Sequence, residues 1–149
     1  MTALRRALPA AVVAAALALA ACAAALPRPI AYDEDACAFC RMTVADPRYG
    51  AEAVTLKGKV HAFDSVECLA SYVLANRAEV RSAWVTDAER PGTLLPVDGA
   101  RFTRSLTEAG SPMGLGLRAG REGALSWTDV LALVRERGFP RAGVAVLPS

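Results

Sequence analysis

Ala51-Glu52-Ala53-Val54-Thr55-Leu56-Lys57-Gly58-Lys59-Val60-His61-Ala62-Phe63-Asp64-Ser65-Val66-Glu67-Cys68-Leu69 passes from a strand pattern to a helix pattern without a break. Ala51 to Leu56 and Lys59 to Phe63 read as two strands joined by a tight hairpin at Lys57-Gly58. The pattern then switches to a helix. Asp64 is placed to cap it, Glu67 completes a capping box three positions on, and Val66, Leu69, Ala70 and Val73 line one face until about Asn76. The unit is strand, strand, helix.

Downstream, Ala83 to Thr86 reads as a further strand, and Asp87-Ala88-Glu89-Arg90-Pro91-Gly92 marks a break. The same parts then recur. Arg101 to Arg104 and Leu115 to Ala119 read as strands, and Ser126 with Asp129 opens a helix whose stripe is Trp127, Val130, Leu131 and Val134. Gly138 and Pro140 stop that helix. Phe63 to Leu69 aligns with Leu125 to Leu131 in cap, acidic residue and apolar positions. The expectation is an α+β fold, two-lobed, built from repeated strand-strand-helix units, with small mixed or antiparallel sheets each covered by a helix. The half-repeats span about 36–90 and 91–149.

The chain opens with Arg5 and Arg6 followed by an Ala/Leu/Val run from Ala7 to Ala21, too short for a membrane span and typical of a signal peptide. Leu19-Ala20-Ala21-Cys22 has the form of a bacterial lipobox. Residues 1–21 are therefore expected to be removed, and Cys22 to be acylated, holding the protein to a membrane outside the cytoplasm. Residues 22–35, with two prolines and Asp33-Glu34-Asp35, read as a tether, and 36–149 as the folded domain. Without the leader, lysine plus arginine equals aspartate plus glutamate at 15 each. That balance, with few aromatics, argues against nucleic-acid binding.

The chemistry concentrates in Cys37-Ala38-Phe39-Cys40-Arg41-Met42. Two thiols and a thioether are soft ligands that favour Cu(I). With Cys22 lipidated, Cys37, Cys40 and Cys68 remain, an odd number in an oxidising compartment. Haem attachment needs His where Arg41 stands, and a structural zinc site needs a second ligand pair that the chain lacks. A thiol-disulfide oxidoreductase using Cys37 and Cys40 is the competing reading. If Cys40 to Met42 is extended, those two sulfurs share a face, and Cys37 points away unless a turn intervenes. Met113, between Pro112 and Gly114 in a bendable loop, is the other methionine outside the leader. His61, the lone histidine, is a further candidate ligand, and Cys68 reads as a buried structural thiol. The carboxylates are scattered, so no acid–base catalytic constellation emerges, and the chain is not expected to be an enzyme.

The lipobox, Cys40-Arg41-Met42-Thr43-Val44 with Asp46-Pro47, Val60-His61-Ala62-Phe63-Asp64 and Pro112-Met113-Gly114 together resemble the nitrous oxide reductase accessory protein NosL family of lipoprotein copper chaperones. The resemblance runs in order over nearly the whole chain after the leader. It implies a two-lobed α+β fold and Cu(I) binding that supports copper-site assembly in nitrous oxide reductase. Position by position, it implies Cys40, Met42 and Met113 as ligands, with Cys37 and His61 matching less firmly. The partner it implies is the copper-receiving enzyme or its maturation machinery.

Overall fold

A computed structural model describes residues 26–105 and 113–139. The signal peptide, Cys22, Pro112 and Pro140 lie outside the described residues. The elements are β1 (Ala51–Thr55), β2 (Val60–Phe63), α1 (Val66–Ala75), β3 (Val80–Thr86), β4 (Leu94–Pro96), β5 (Arg101–Arg104), β6 (Leu117–Gly120) and α2 (Trp127–Arg137). Among the described residues no helix is long and apolar enough to cross a membrane.

β1 and β2 pair antiparallel with Ala53 opposite His61, as the hairpin reading requires. Gly58, at φ 80°, supplies the left-handed residue that closes the turn, and its N–H donates to the Thr55 carbonyl at 2.9 Å. β1 also pairs with β3, and β3 with β4, giving an antiparallel sheet ordered β2-β1-β3-β4. β5 and β6 form a separate antiparallel pair. β3 begins at Val80, earlier than the apolar run Ala83 to Thr86 suggested, because Thr55 to Val54 gives it partners there. β4 is a short edge strand that alternation does not reveal. Its terminal Pro96 is tolerated because an edge leaves one side of the ladder free. β4 follows residue 91 yet belongs to the larger sheet, so the two sheets divide between β4 and β5.

The caps differ in an informative way. α2 has the full capping box: Ser126 Oγ accepts from the Asp129 N–H, and Asp129 Oδ2 accepts from the Ser126 N–H at 2.7 Å. α1 is capped by Ser65, not Asp64; Ser65 Oγ accepts from the Cys68 N–H at 3.1 Å. Asp64 is instead buried, accepting from the Ala45 N–H, and burial together with negative charge nearby lifts its pKa to about 6. Moving the cap by one residue makes Cys68, rather than Glu67, the third residue of the helix.

α1 buries Val66, Leu69 and Ala70 against the larger sheet, and α2 sends Val130 and Val134 into the same core. Phe63, Phe102 and Leu117 are fully buried between the layers. Each such side chain contributes about 2–3 kcal/mol relative to exposure. The other face of the larger sheet is covered by residues 28–35, which were expected to be free tether. The Arg28 N–H donates to Glu52 Oε2 at 3.0 Å, Tyr32 Oη lies 3.1 Å from Thr86 Oγ1, and the Asp33 N–H donates to the Val44 carbonyl at 2.9 Å. Where the sequence shows only prolines and acids, the backbone closes a small hairpin through Val44.

Candidate metal centre

Residues 37–42 form a tight loop. Ala36 bridges to Thr43, the Cys37 N–H donates to the Met42 carbonyl at 2.8 Å, and the Arg41 N–H donates to the Cys37 carbonyl at 3.1 Å. Closing so short a loop requires a left-handed residue, and Arg41 takes that role at φ 69°. Cys40-Arg41-Met42 is therefore turned, not extended, and the same-face pairing of Cys40 with Met42 does not follow from strand geometry. The turn instead brings Cys37 back toward Cys40, whose N–H approaches Cys37 Sγ at 3.5 Å.

The loop is pinned to the end of β2 by the Ala38 N–H donating to the Ala62 carbonyl at 2.9 Å. β2 leads directly into α1, so the loop lies against the first helical turn, where Cys68 stands. The sulfurs of Cys37, Cys40 and Cys68 all lie within 4.8 Å of one another, and no disulfide joins them. Metal–sulfur bonds of about 2.3 Å in a plane would set three sulfurs roughly 4 Å apart, so little closure is needed.

The three thiols are not equivalent. Cys37 is held well below the usual thiol range, first by a hydrogen bond from the Cys68 thiol and then by backbone N–H groups of Asp64, Cys40 and Phe39, which outweigh burial. Cys68 is pushed up because it is the donor to Cys37 and is buried. Cys40 is raised chiefly by burial, with the Met42 N–H partly offsetting it. The trio thus favours a thiolate at Cys37 over one at Cys40 or Cys68, and a bound cation would displace the remaining thiol protons. Cys37 and Cys68 are fully buried, whereas Cys40 is half-buried and forms the route to solvent.

Three soft sulfurs without a hard donor suit Cu(I); zinc would want a fourth ligand, and among the described residues the group contains no further His, Cys, Asp or Glu. Met42 projects outward, 50 % exposed, next to Cys40. Met113 is half-buried against the edge of the core. His61 lies outside the thiol group; its ring packs on Tyr72 at 5.3 Å, and burial followed by the charge of Lys59 lowers its pKa. Cys68 is the site residue that sequence reasoning set aside. Its signal was its spacing from Ser65: a cap at that serine places Cys68 in the first turn, facing the end of β2.

No protein-family model matches the sequence, and no curated protein matches it. Among solved structures, the fold is similar to the crystal structure of the copper chaperone NosL from Shewanella denitrificans. The TM-score is 0.53 at 20 % identity, over 73 % of this chain and 87 % of that one.

Proposed function

We propose that this chain is a Cu(I) metallochaperone, tethered to a membrane outside the cytoplasm through acylated Cys22 and carrying copper for nitrous oxide reductase maturation. The observation that carries the reading is the three-sulfur cluster of Cys37, Cys40 and Cys68. The likeness to a copper chaperone supports it, as does the lipobox at the head of the chain. Cys40 is the pivotal ligand. It closes the buried pair Cys37 and Cys68 from the solvent side, and two residues further on stands exposed Met42. Exposed Met42 and half-buried Met113 are the thioethers that would pass copper into and out of this set, while His61 stands outside the thiol group. Because few ligands surround the ion, a partner can add one as the chaperone releases another, so the metal moves by exchange and no turnover is involved.

A thiol-disulfide oxidoreductase has one observation in its favour, the stabilised Cys37 thiolate. Such an enzyme needs a thiol that is both acidic and accessible. Here the acidic one, Cys37, is buried, and the accessible one, Cys40, is raised. An anaerobic competition of the reduced protein against a chromogenic Cu(I) chelator tests the proposal. The expected result is one tightly bound copper per chain, lost when the thiols are alkylated. Absence of copper uptake together with disulfide reductase activity would replace this reading with the redox one.

A further inference from the structure

Beside the cysteine loop runs a groove that copper binding does not use. Two adjoining cavities of about 410 and 530 Å³ share Lys59, His61 and Tyr72. Ala36, Ala38 and Arg41 of the cysteine loop line the first, so whatever occupies it touches the backbone around Cys37 and Cys40. Leu56 and Lys57 of the β1–β2 turn line the second. Among the described residues, Arg41, Lys57 and Lys59 enter no ion pair. Arg28 is already committed to Asp35 at 2.6 Å, which leaves Glu79 as the other acid on the lining. The groove therefore carries a net positive charge, Arg41, Lys57 and Lys59 standing against Glu79.

Arg41 adds an independent observation. A left-handed φ of 69° is a conformation that glycine adopts freely and a long side chain adopts at a cost of about 1 kcal/mol or more. Arginine there is costlier for the fold than glycine, and its exposed guanidinium is delivered to the mouth of the groove. Exposed apolar side chains stand at both ends: Met42 next to Arg41, and Leu56, 56 % exposed, next to Lys57.

We infer that this groove is the docking surface for an acidic segment of a partner protein, seated across Arg41 and Lys59 with apolar contacts at Leu56 and Met42. This deepens the copper-chaperone reading and rests on it for the partner's role: a docked segment would lie against the cysteine loop and set the partner's ligands beside Cys40. Opposite charge would steer the encounter and orient it, an effect that weakens as salt screens it.

The test uses the full chain in detergent and a fluorescent oligoglutamate peptide containing leucines, followed by anisotropy at low salt and at about 0.3 M salt. Saturable binding is expected, weakened at least about tenfold by the double variant Arg41→Glu, Lys59→Glu and by the higher salt. The control pair Arg135→Glu, Arg137→Glu makes the same charge change on α2 and is expected to shift binding less than about threefold. Arg41→Gly, which relaxes the backbone, separates the loss of the guanidinium from a misfolded loop: it too should weaken binding. No saturable binding to wild type, or equal weakening by the control pair, overturns the inference. Chelator competition on the same wild-type preparation reports copper separately: intact copper uptake without peptide binding sinks the docking surface alone, and the converse sinks the copper reading alone.

Discussion

Glu52→Gln should abolish a pH dependence built into the larger sheet. Glu52 is fully buried on β1; Oε2 accepts from the Arg28 N–H, and Oε1 has no partner among the described residues. Burial lifts its pKa from 4.5 to about 7, with the positive charge of Arg28 and its N–H opposing the rise only in part. Each unit corresponds to roughly 1 kcal/mol, so the effect is on the order of 2 kcal/mol. The sign follows from which state keeps the proton. Below pH about 4.5 both states are protonated and the group costs nothing. Between about 4.5 and 7 the unfolded chain loses its proton while the folded one retains it, so stability falls as pH rises, and above about 7 the loss is complete. Urea denaturation at pH 5 and pH 8 gives the assay. Relative to wild type, Glu52→Gln should gain about 2 kcal/mol more at pH 8 than at pH 5. The comparison between pH values removes the amide's own packing cost, and also the parallel contribution of Asp64, present in both proteins. An equal effect at both pH values would show that Glu52 does not hold its proton in the folded state.

Cys68→Ala should weaken Cu(I) at least about tenfold and raise the Cys37 pKa, seen as less thiolate absorbance near neutral pH, because the first contributor to Cys37 acidity is the hydrogen bond from the Cys68 thiol. Ser65→Ala should destabilise the fold by about 1 kcal/mol in chemical denaturation, since it frees the Cys68 N–H that the cap satisfies. Arg41→Gly should stabilise the fold by up to about 1 kcal/mol by relieving the left-handed backbone, measured the same way. Gly116→Ala should destabilise strongly and lower the melting temperature, because a Cβ there would stand 1.8 Å from the Ser105 carbonyl oxygen.

The hairpin and both helices were legible because their signals are local. Alternation in β1 and β2, Gly58 at the turn, and the Ser126–Asp129 box each act within a few residues. β4 was not legible, since three residues ending in proline carry no period, and only β3 makes them a strand. Residues 28–35 looked like linker because their partners, Glu52, Thr86 and Val44, lie far along the chain. In the metal centre, Cys37 and Cys40 were visible as soft ligands. Their convergence with Cys68 depended on a left-handed arginine and on a helix cap one residue later than Asp64. Tertiary closure decided both.

The proposed copper capture turns on Cys40, which would hold Cu(I) at the mouth of a buried thiol pair. Chelator competition on Cys40→Ser beside His61→Ala tests it most directly. Cys40→Ser is expected to lose Cu(I) affinity by at least about a hundredfold while His61→Ala stays within about threefold of wild type. Undiminished affinity in Cys40→Ser would contradict it.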